Sequence, residues 1–183
     1  MLFNGLETES LIIREFNEGD FTSIHTYASK PEVTMYLPFG PNNEVDTQIF
    51  LKKAINYQIE NPRYDYEFAV IMKQSNNLIG GCGIHFTSIS NKEGSIGYCY
   101  DKQYWGNGFA SEVAKAILNF GFNELGLHRI FATCHPDNIG SARVMQKIGM
   151  QKEGRLREHK FQKGSWRDSF IYSILDYEYN ANS

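Results

Sequence analysis

Cysteine is scarce: Cys82, Cys99 and Cys134 are the whole complement of a 183-residue chain. Their number is odd and none falls in a Cys-x-x-Cys pair, which excludes a disulfide framework and fits free thiols in a reducing compartment. A cytoplasmic location is therefore the expectation. No His/Cys spacing suits zinc, so no metal is expected. Long apolar runs are also missing, and the opening MLFNGLETES has no basic region followed by an apolar stretch. Neither a membrane span nor an export leader is expected. An excess of one charge is lacking too. The net charge of -3 gives no general pull toward DNA or an anionic membrane.

What is present is a core. Hydrophobic residues make up 42% and aromatic residues 14% of the chain, enough for one buried domain over residues 1–183. Thirteen Phe and eleven Tyr exceed what such a core needs, so some are expected to line a groove. From Lys152 to Arg167 six Lys or Arg face two Glu. A solvated hairpin edge that discourages strand pairing explains this run; attraction of an acidic peptide or an RNA-bound substrate is the other reading.

The pattern of elements is mixed. Ser10 to Phe16 reads as a strand, and Asp20 is expected to cap a helix through about Ser29, interrupted by Pro31. PFGPNN, Pro38 to Asn43, is the strongest loop signal. A helix over Glu44 to Glu60 is expected to bring Val45, Ile49, Leu51, Ile55 and Ile59 to one side. Tyr66–Lys73, Leu78–Thr87 and Gly94–Tyr100 then read as an antiparallel meander. The spacing of Ala110, Val113, Ala114, Ile117, Leu118, Gly121 and Leu125 predicts a helix stopped by Gly126. His128 to His135 is a strand, Asp137 or Asn138 caps a helix closing at Gly149, and two strands finish the chain around Lys163-Gly164-Ser165. No repeat or linker interrupts this order, which describes one mixed α/β domain.

YWGNGFASE, Tyr104 to Glu112, carries the clearest chemistry. Gly106 and Gly108 stand between a strand and an amphipathic helix, where backbone N–H groups can converge without a Cβ in the way. The unpaired donors and dipole of the helix start add to an anion cradle suited to phosphate or pyrophosphate. A Rossmann fingerprint would need a third glycine and an early parallel unit, and a Walker loop would need Gly-Lys-Ser/Thr; neither is present. A turn merely shaped by glycine is the plain alternative. Against it stands a second helix-start cluster, HPDNIGSARVMQKIGM, after the next strand. Two parallel strand–helix units would set polar helix starts side by side.

IGYCYDKQYWGNGFASEVAKAIL from Ile96, the Asn138-x-x-Ser141 pair, KIGMQKEGRL from Lys147, the final hairpin ending DSFIYSIL and the opening LIIREF together resemble the GNAT superfamily of N-acetyltransferases. The likeness is closest to the Rim-type branch of ribosomal-protein N-terminal acetyltransferases and covers nearly the whole chain. It implies a mostly antiparallel mixed α/β sheet of about seven strands with about four helices, splayed between the fourth and fifth strands. It implies acetyl-CoA as co-substrate, its pantetheine arm pairing as an extra strand with Tyr98, Cys99 and Tyr100. Trp105, Gly106, Asn107, Gly108, Phe109 and Ala110 would wrap the pyrophosphate. Trp105 stands where the family usually has Arg or Gln. The acceptor would be a primary amine on a peptide N-terminus or a small molecule. A homodimer is compatible with the exposed terminal strands.

By the same resemblance, Asn138 bonds the cofactor arm or simply caps its helix, and Ser141 is the candidate acid for the leaving thiolate. The base is not carried over. Relatives often have Glu where this chain has Ser95, and a carboxylate where it has Lys160. His85, Glu67 and Glu158 are the candidates nearby; a water chain is the alternative, because an α-amine with a pKa of about 8 is partly neutral already. Cys134 and His135 with Asp137 are not read as a nucleophile pair, since adjacent strand residues diverge. An acyl-CoA-binding module with weak or no catalysis, and a phosphate-ligand protein unrelated to acyl transfer, remain the alternatives. The acceptor groove is expected from Tyr36–Phe39 and the Trp166 hairpin.

Overall fold

A computed structural model describes Phe3 and residues 5–181. Its strands are β1 (Leu6–Glu7), β2 (Leu11–Glu15), β3 (Asp65–Met72), β4 (Asn77–Ser88), β5 (Glu93–Tyr100), β6 (Arg129–Cys134), β7 (Gln151–Gln162) and β8 (Ser165–Leu175). Its helices are α1 (Phe21–Ala28), α2 (Pro31–Thr34), α3 (Glu44–Tyr57), α4 (Phe109–Asn119), α5 (Ile139–Lys147) and α6 (Asp176–Ala181). Among the described residues, the eight strands form one sheet in the order β1-β2-β3-β4-β5-β6-β8-β7. Every neighbouring pair is antiparallel except β5–β6. This is the expected GNAT architecture with one more strand, the two-residue β1, and six helices where about four were expected, the short α2 and α6 making the difference.

The sheet is covered on both faces, so its central strands are buried on both sides. On β3, Tyr66, Phe68 and Val70 enter one core with α4 and α5, while Ala69 and Ile71 enter a second core under α1 and α3. That is why DYEFAVIM reads as a nearly continuous apolar run rather than a clean alternation. The larger core joins Phe68, Ile84, Val113, Ile117, Ile130 and Met145, and the smaller one joins Phe16, Ile24, Tyr27 and Leu51.

Several local expectations are corrected. Asp20 stands at the N-cap of α1 as expected but makes no side-chain cap bond there; Asn17 caps the preceding 3-10 turn, Glu18–Asp20, accepting from Gly19 N–H, and the Asp20 carboxylate accepts from Asn17 N–H at 2.9 Å. The Asp20 carboxylate also takes both guanidinium nitrogens of Arg14 at 2.7 Å, so it is engaged as an ion pair as well as half of a capping box. Of the apolar side forecast for α3, Leu51 is buried and Ile55 half-buried, but Val45 and Ile49 are 66% and 60% exposed, and Ile59, 84% exposed, lies beyond the end of the helix. The buried stripe is Thr47, Leu51 and Ala54, because Thr47 bonds Asn43 O and His25 and thereby tolerates burial. The helix ends at Tyr57, and the last strand ends at Leu175, before α6.

Phe68→Ala should remove about 3–5 kcal/mol of stability, read as a lower denaturant midpoint at unchanged slope. The side chain is fully buried and packs against the rings of Phe3, Tyr66 and Phe120.

Candidate active site

β5 and β6 pair at only three positions, Glu93↔Arg129, Gly94↔Ile130 and Ser95↔Phe131, and then part. Beyond Ser95 the edge of β5 is open. Its phase follows from Asp101 N–H, which donates to Ile79 O across β4 at 3.0 Å. Alternation then turns Cys99 and Gly97 toward β4 and the main-chain groups of Tyr98 and Tyr100 toward the opening. Tyr98 and Tyr100 are therefore placed to pair with an extended ligand; Cys99, expected to share that task, faces the wrong way. The indole N–H of Trp105 donates to Tyr100 O at 2.9 Å, so that carbonyl already has a partner.

The turn after β5 has the geometry its glycines suggest. Gly106 and Gly108 lie at φ +81° and +85°, and a Cβ on either would meet nothing within 4 Å. Gly108 is the N-cap of α4 and supplies no side-chain cap. Ser111 N–H turns back to Gly108 O at 3.0 Å, and no side chain from the glycines covers the helix start before it, the kind of terminus that accepts a pyrophosphate. Asn107 bonds back to Tyr104 O and Trp105 O and braces the turn, while Phe109 and Ala110 lead into the larger core. The residues fit CoA: a cradle without side chains stands at the end of a free strand edge.

On the other side of β5 the sheet floor is stripped to glycine at Gly81, Gly83 and Gly97, and a cavity of about 680 Å³ lies over it. At its end stand Glu67 and His85. Asp65 and Glu67 are two apart on β3 and share a face, and the register sets His85 opposite Asp65. His85 Nδ1 lies 2.7 Å from Asp65 and Nε2 3.2 Å from Glu67. Gly83 makes this possible, because a Cβ there would fall 2.9 Å from both Glu67 Oε2 and His85 Nε2. Burial alone would lower the pKa of His85; the bonds and charges of Glu67 and Asp65 outweigh it, and the net shift is upward.

Across the sheet, Asn138 caps α5 through a 3.1 Å bond from Ser141 N–H. Ser141 Oγ lies 3.1 Å from Tyr98 Oη. Burial raises the Tyr98 phenol to about 12 against the opposing bond from Ser141, so the phenol stays protonated. This hydroxyl pair was not legible beforehand. The period of two that directs Tyr98 toward α5 was the available signal, but its partner depends on the tertiary fold.

Other expected residues lie apart. Glu158 sits in a bulge of β7 at φ +50°, its N–H bonded to Asp168 and its surroundings Arg155, Arg157 and His159. Trp166 is 60% exposed and packs edge-on against Phe161, so the hairpin reaches the groove side through Lys163, which donates to Thr34 O, rather than through Trp166. Of the groove loop, Leu37, Pro38 and Phe39 line the cavity, while Tyr36 stacks on His135. Cys134 is buried, its thiol raised to about 11 by desolvation, and the Cys99 thiol is raised to about 12. None of the three cysteines is a ready nucleophile. Sequence reasoning missed Asp65, whose i, i+2 relation to Glu67 was readable but whose partner His85 needed the register.

The profile of the acetyltransferase (GNAT) domain family matches residues 10–151. The chain belongs to the GNAT family. It is 37% identical over 175 residues to the uncharacterised N-acetyltransferase YnaD of Bacillus subtilis, covering 96% of this chain and 99% of that one. An acetyltransferase of the GNAT family from Bacillus anthracis superposes with a TM-score of 0.83 at 36% identity, over 94% of this chain and 99% of that one. A spermidine N-acetyltransferase from Vibrio cholerae, solved with CoA and spermine, shares the GNAT fold at a TM-score of 0.79 and 23% identity, over 93% and 98% of the two chains. Family and relatives make this protein an acyltransferase enzyme.

Asp65→Asn should move the His85 imidazole titration, followed by NMR, to lower pH, since it removes one of the charges that favour the imidazolium. An unmoved or higher midpoint would contradict the assigned contact.

Proposed function

We propose that the enzyme transfers acetyl from acetyl-CoA directly to a primary amine, with Glu67 and His85 receiving the amine proton and Ser141 protonating the leaving thiolate. The observation that carries this reading is the placement of the two proton-handling groups on opposite faces of the open β5 edge. Glu67 and His85 lie over Gly83 on the cavity face, and Ser141 with Tyr98 lies on the α5 face.

Tyr98 and Tyr100 would hold the cofactor arm along β5, and the turn from Trp105 to Ala110, with Gly108 at its apex, would hold the pyrophosphate. The bound group supplies an activated acetyl thioester: a C–N bond forms at the carbonyl carbon while the C–S bond breaks. A protonated imidazole bridging two carboxylates cannot accept a further proton. The pair becomes a base only after the proton between Nε2 and Glu67 has left. Because the folded pKa of His85 lies above 6.5, the acid limb of activity lies above pH 6.5 as well. Ser95, opposite His85 in the register, is where relatives often place Glu; here the base stands one strand over. Ser141 gives its proton to sulfur and can be resupplied by the Tyr98 phenol beside it.

His85→Gln should lower kcat by about 10²-fold or more with little change in the KM for acetyl-CoA, and Ser141→Ala should do the same. In Asp65→Asn the acid limb of kcat/KM should shift to lower pH, which titration of the free amine substrate could not produce. Gly108→Val should instead abolish CoA binding in calorimetry, since a β-branched residue resists φ +85° and its methyls enter the cradle. Full activity in His85→Gln would remove the assignment of the base.

A further inference from the structure

The cavity beside Glu67 has walls and charges that choose among primary amines. Resting on the reading just given, we propose that it takes a compact amine with one positive charge and an apolar body, inserted amine-first, in preference to polyamines or peptide N-termini.

Its depth comes from missing side chains. Gly81, Gly83 and Gly97 form the floor, and a Cβ at Gly97 would meet nothing within 4 Å. Its walls are Ile24, Leu37, Phe39, Ile49 and Phe50, which explains why Ile49 and Phe39 remain 60% and 40% exposed on the folded surface. Apolar walls over the Glu67–His85 pair describe a site that buries the body of a ligand and reads one end.

The charges oppose a second ammonium. Asp46 also lines the cavity, but its carboxylate accepts Asn43 N–H at 3.0 Å in the α3 capping box. Glu67 is committed to His85. Lys53 stands on the same wall. Lys160 adds a cation across the opening: its Nζ lies 3.4 Å from Thr133 Oγ1, and Thr133 shares a face with Phe131, the partner of Ser95. A polyamine's second ammonium would therefore find only Asp46 to meet it, against the repulsion of Lys53 and Lys160.

A peptide fares no better. β3 and β4 are paired on both sides, and the β5 edge is the one claimed by the donor, so none of the strands that floor the cavity offers a free edge to a peptide main chain. The outer wall is fixed by bonds from Asn42 N–H to Ala28 O at 2.9 Å and from Leu37 N–H to Thr34 O at 2.9 Å. A cavity of about 680 Å³ suits a small molecule.

The test is CoA-thiol release by the full chain with acetyl-CoA and, in turn, 2-phenylethylamine, 3-methylbutylamine, spermidine and a tetrapeptide with a free α-amine. The two apolar monoamines should exceed the others in kcat/KM by about tenfold or more. Phe39→Ser, on an exposed loop, should reduce kcat/KM for the monoamines several-fold and leave the KM for acetyl-CoA unchanged. Faster turnover of spermidine or peptide would overturn the proposal while leaving acetyl transfer intact. Binding of 2-phenylethylamine to the CoA-loaded protein, followed by NMR, separates the two claims. Binding that perturbs Leu37 and Phe39 without any turnover would sustain the cavity assignment and sink the acetyl-transfer reading; absence of such binding would sink the cavity assignment.

Discussion

The parting of β5 from β6 is the constraint on which the rest of the molecule depends. β5 is held along its length by β4, and β6 by six residue pairs with β8, while only three pairs join the two. Each strand is satisfied on its outer side, so neither half of the sheet can turn to close the gap. The closed end is pinned by Arg129, which bonds Glu93 on β5 at 2.5 Å and Glu153 on β7 at 2.7 Å. A sheet joined at one end and open at the other leaves backbone donors and acceptors facing a slot. Unpaired strand edges are ordinarily an aggregation hazard; here the edge lies inside the sheet, between β5 and β6, rather than at its margin.

Two sets of polar groups lie on opposite faces of the sheet beside this opening. An imidazole between two carboxylates lies on the cavity face, and a hydroxyl pair lies on the α5 face. Glycine governs both sides of this division. Gly83 gives room for the Glu67–His85 approach, and Gly108 leaves the start of α4 uncovered at a backbone conformation that other residues resist. Lys30, which pairs with the buried Asp101 at 2.8 Å, ties the segment before the cavity loop to the turn after β5, so the two ligand regions share a structural support.

Much of this was legible in the sequence where the pattern was local. The meander from Asp65 to Tyr100, the glycine turn and the Asn138 cap each depend on neighbours a few residues away, and the structure places them as read. The misreadings share another cause. Val45 and Ile49 looked like core on helical spacing, but they border a cavity and solvent, while Thr47 is buried because His25, distant in sequence, bonds it. Glu67 and His85 could be named as candidates. Their pairing could not, because it depends on the β3–β4 register and on Gly83 between them. Glu158, equally plausible by composition, is carried off by a bulge in β7. The family relation fixes the reaction class; the cavity walls, on which the proposed choice of acceptor rests, are the parts assembled from the most distant segments.

Amide hydrogen exchange with and without CoA tests the central claim most directly. The slot between β5 and β6 as the seat of the cofactor arm predicts added protection at the amides of Tyr98 and Tyr100 and through the first turn of α4, with Cys99 already protected by β4 in both states. CoA binding that left Tyr98, Tyr100 and the α4 start unprotected, or that protected another strand edge instead, would contradict it.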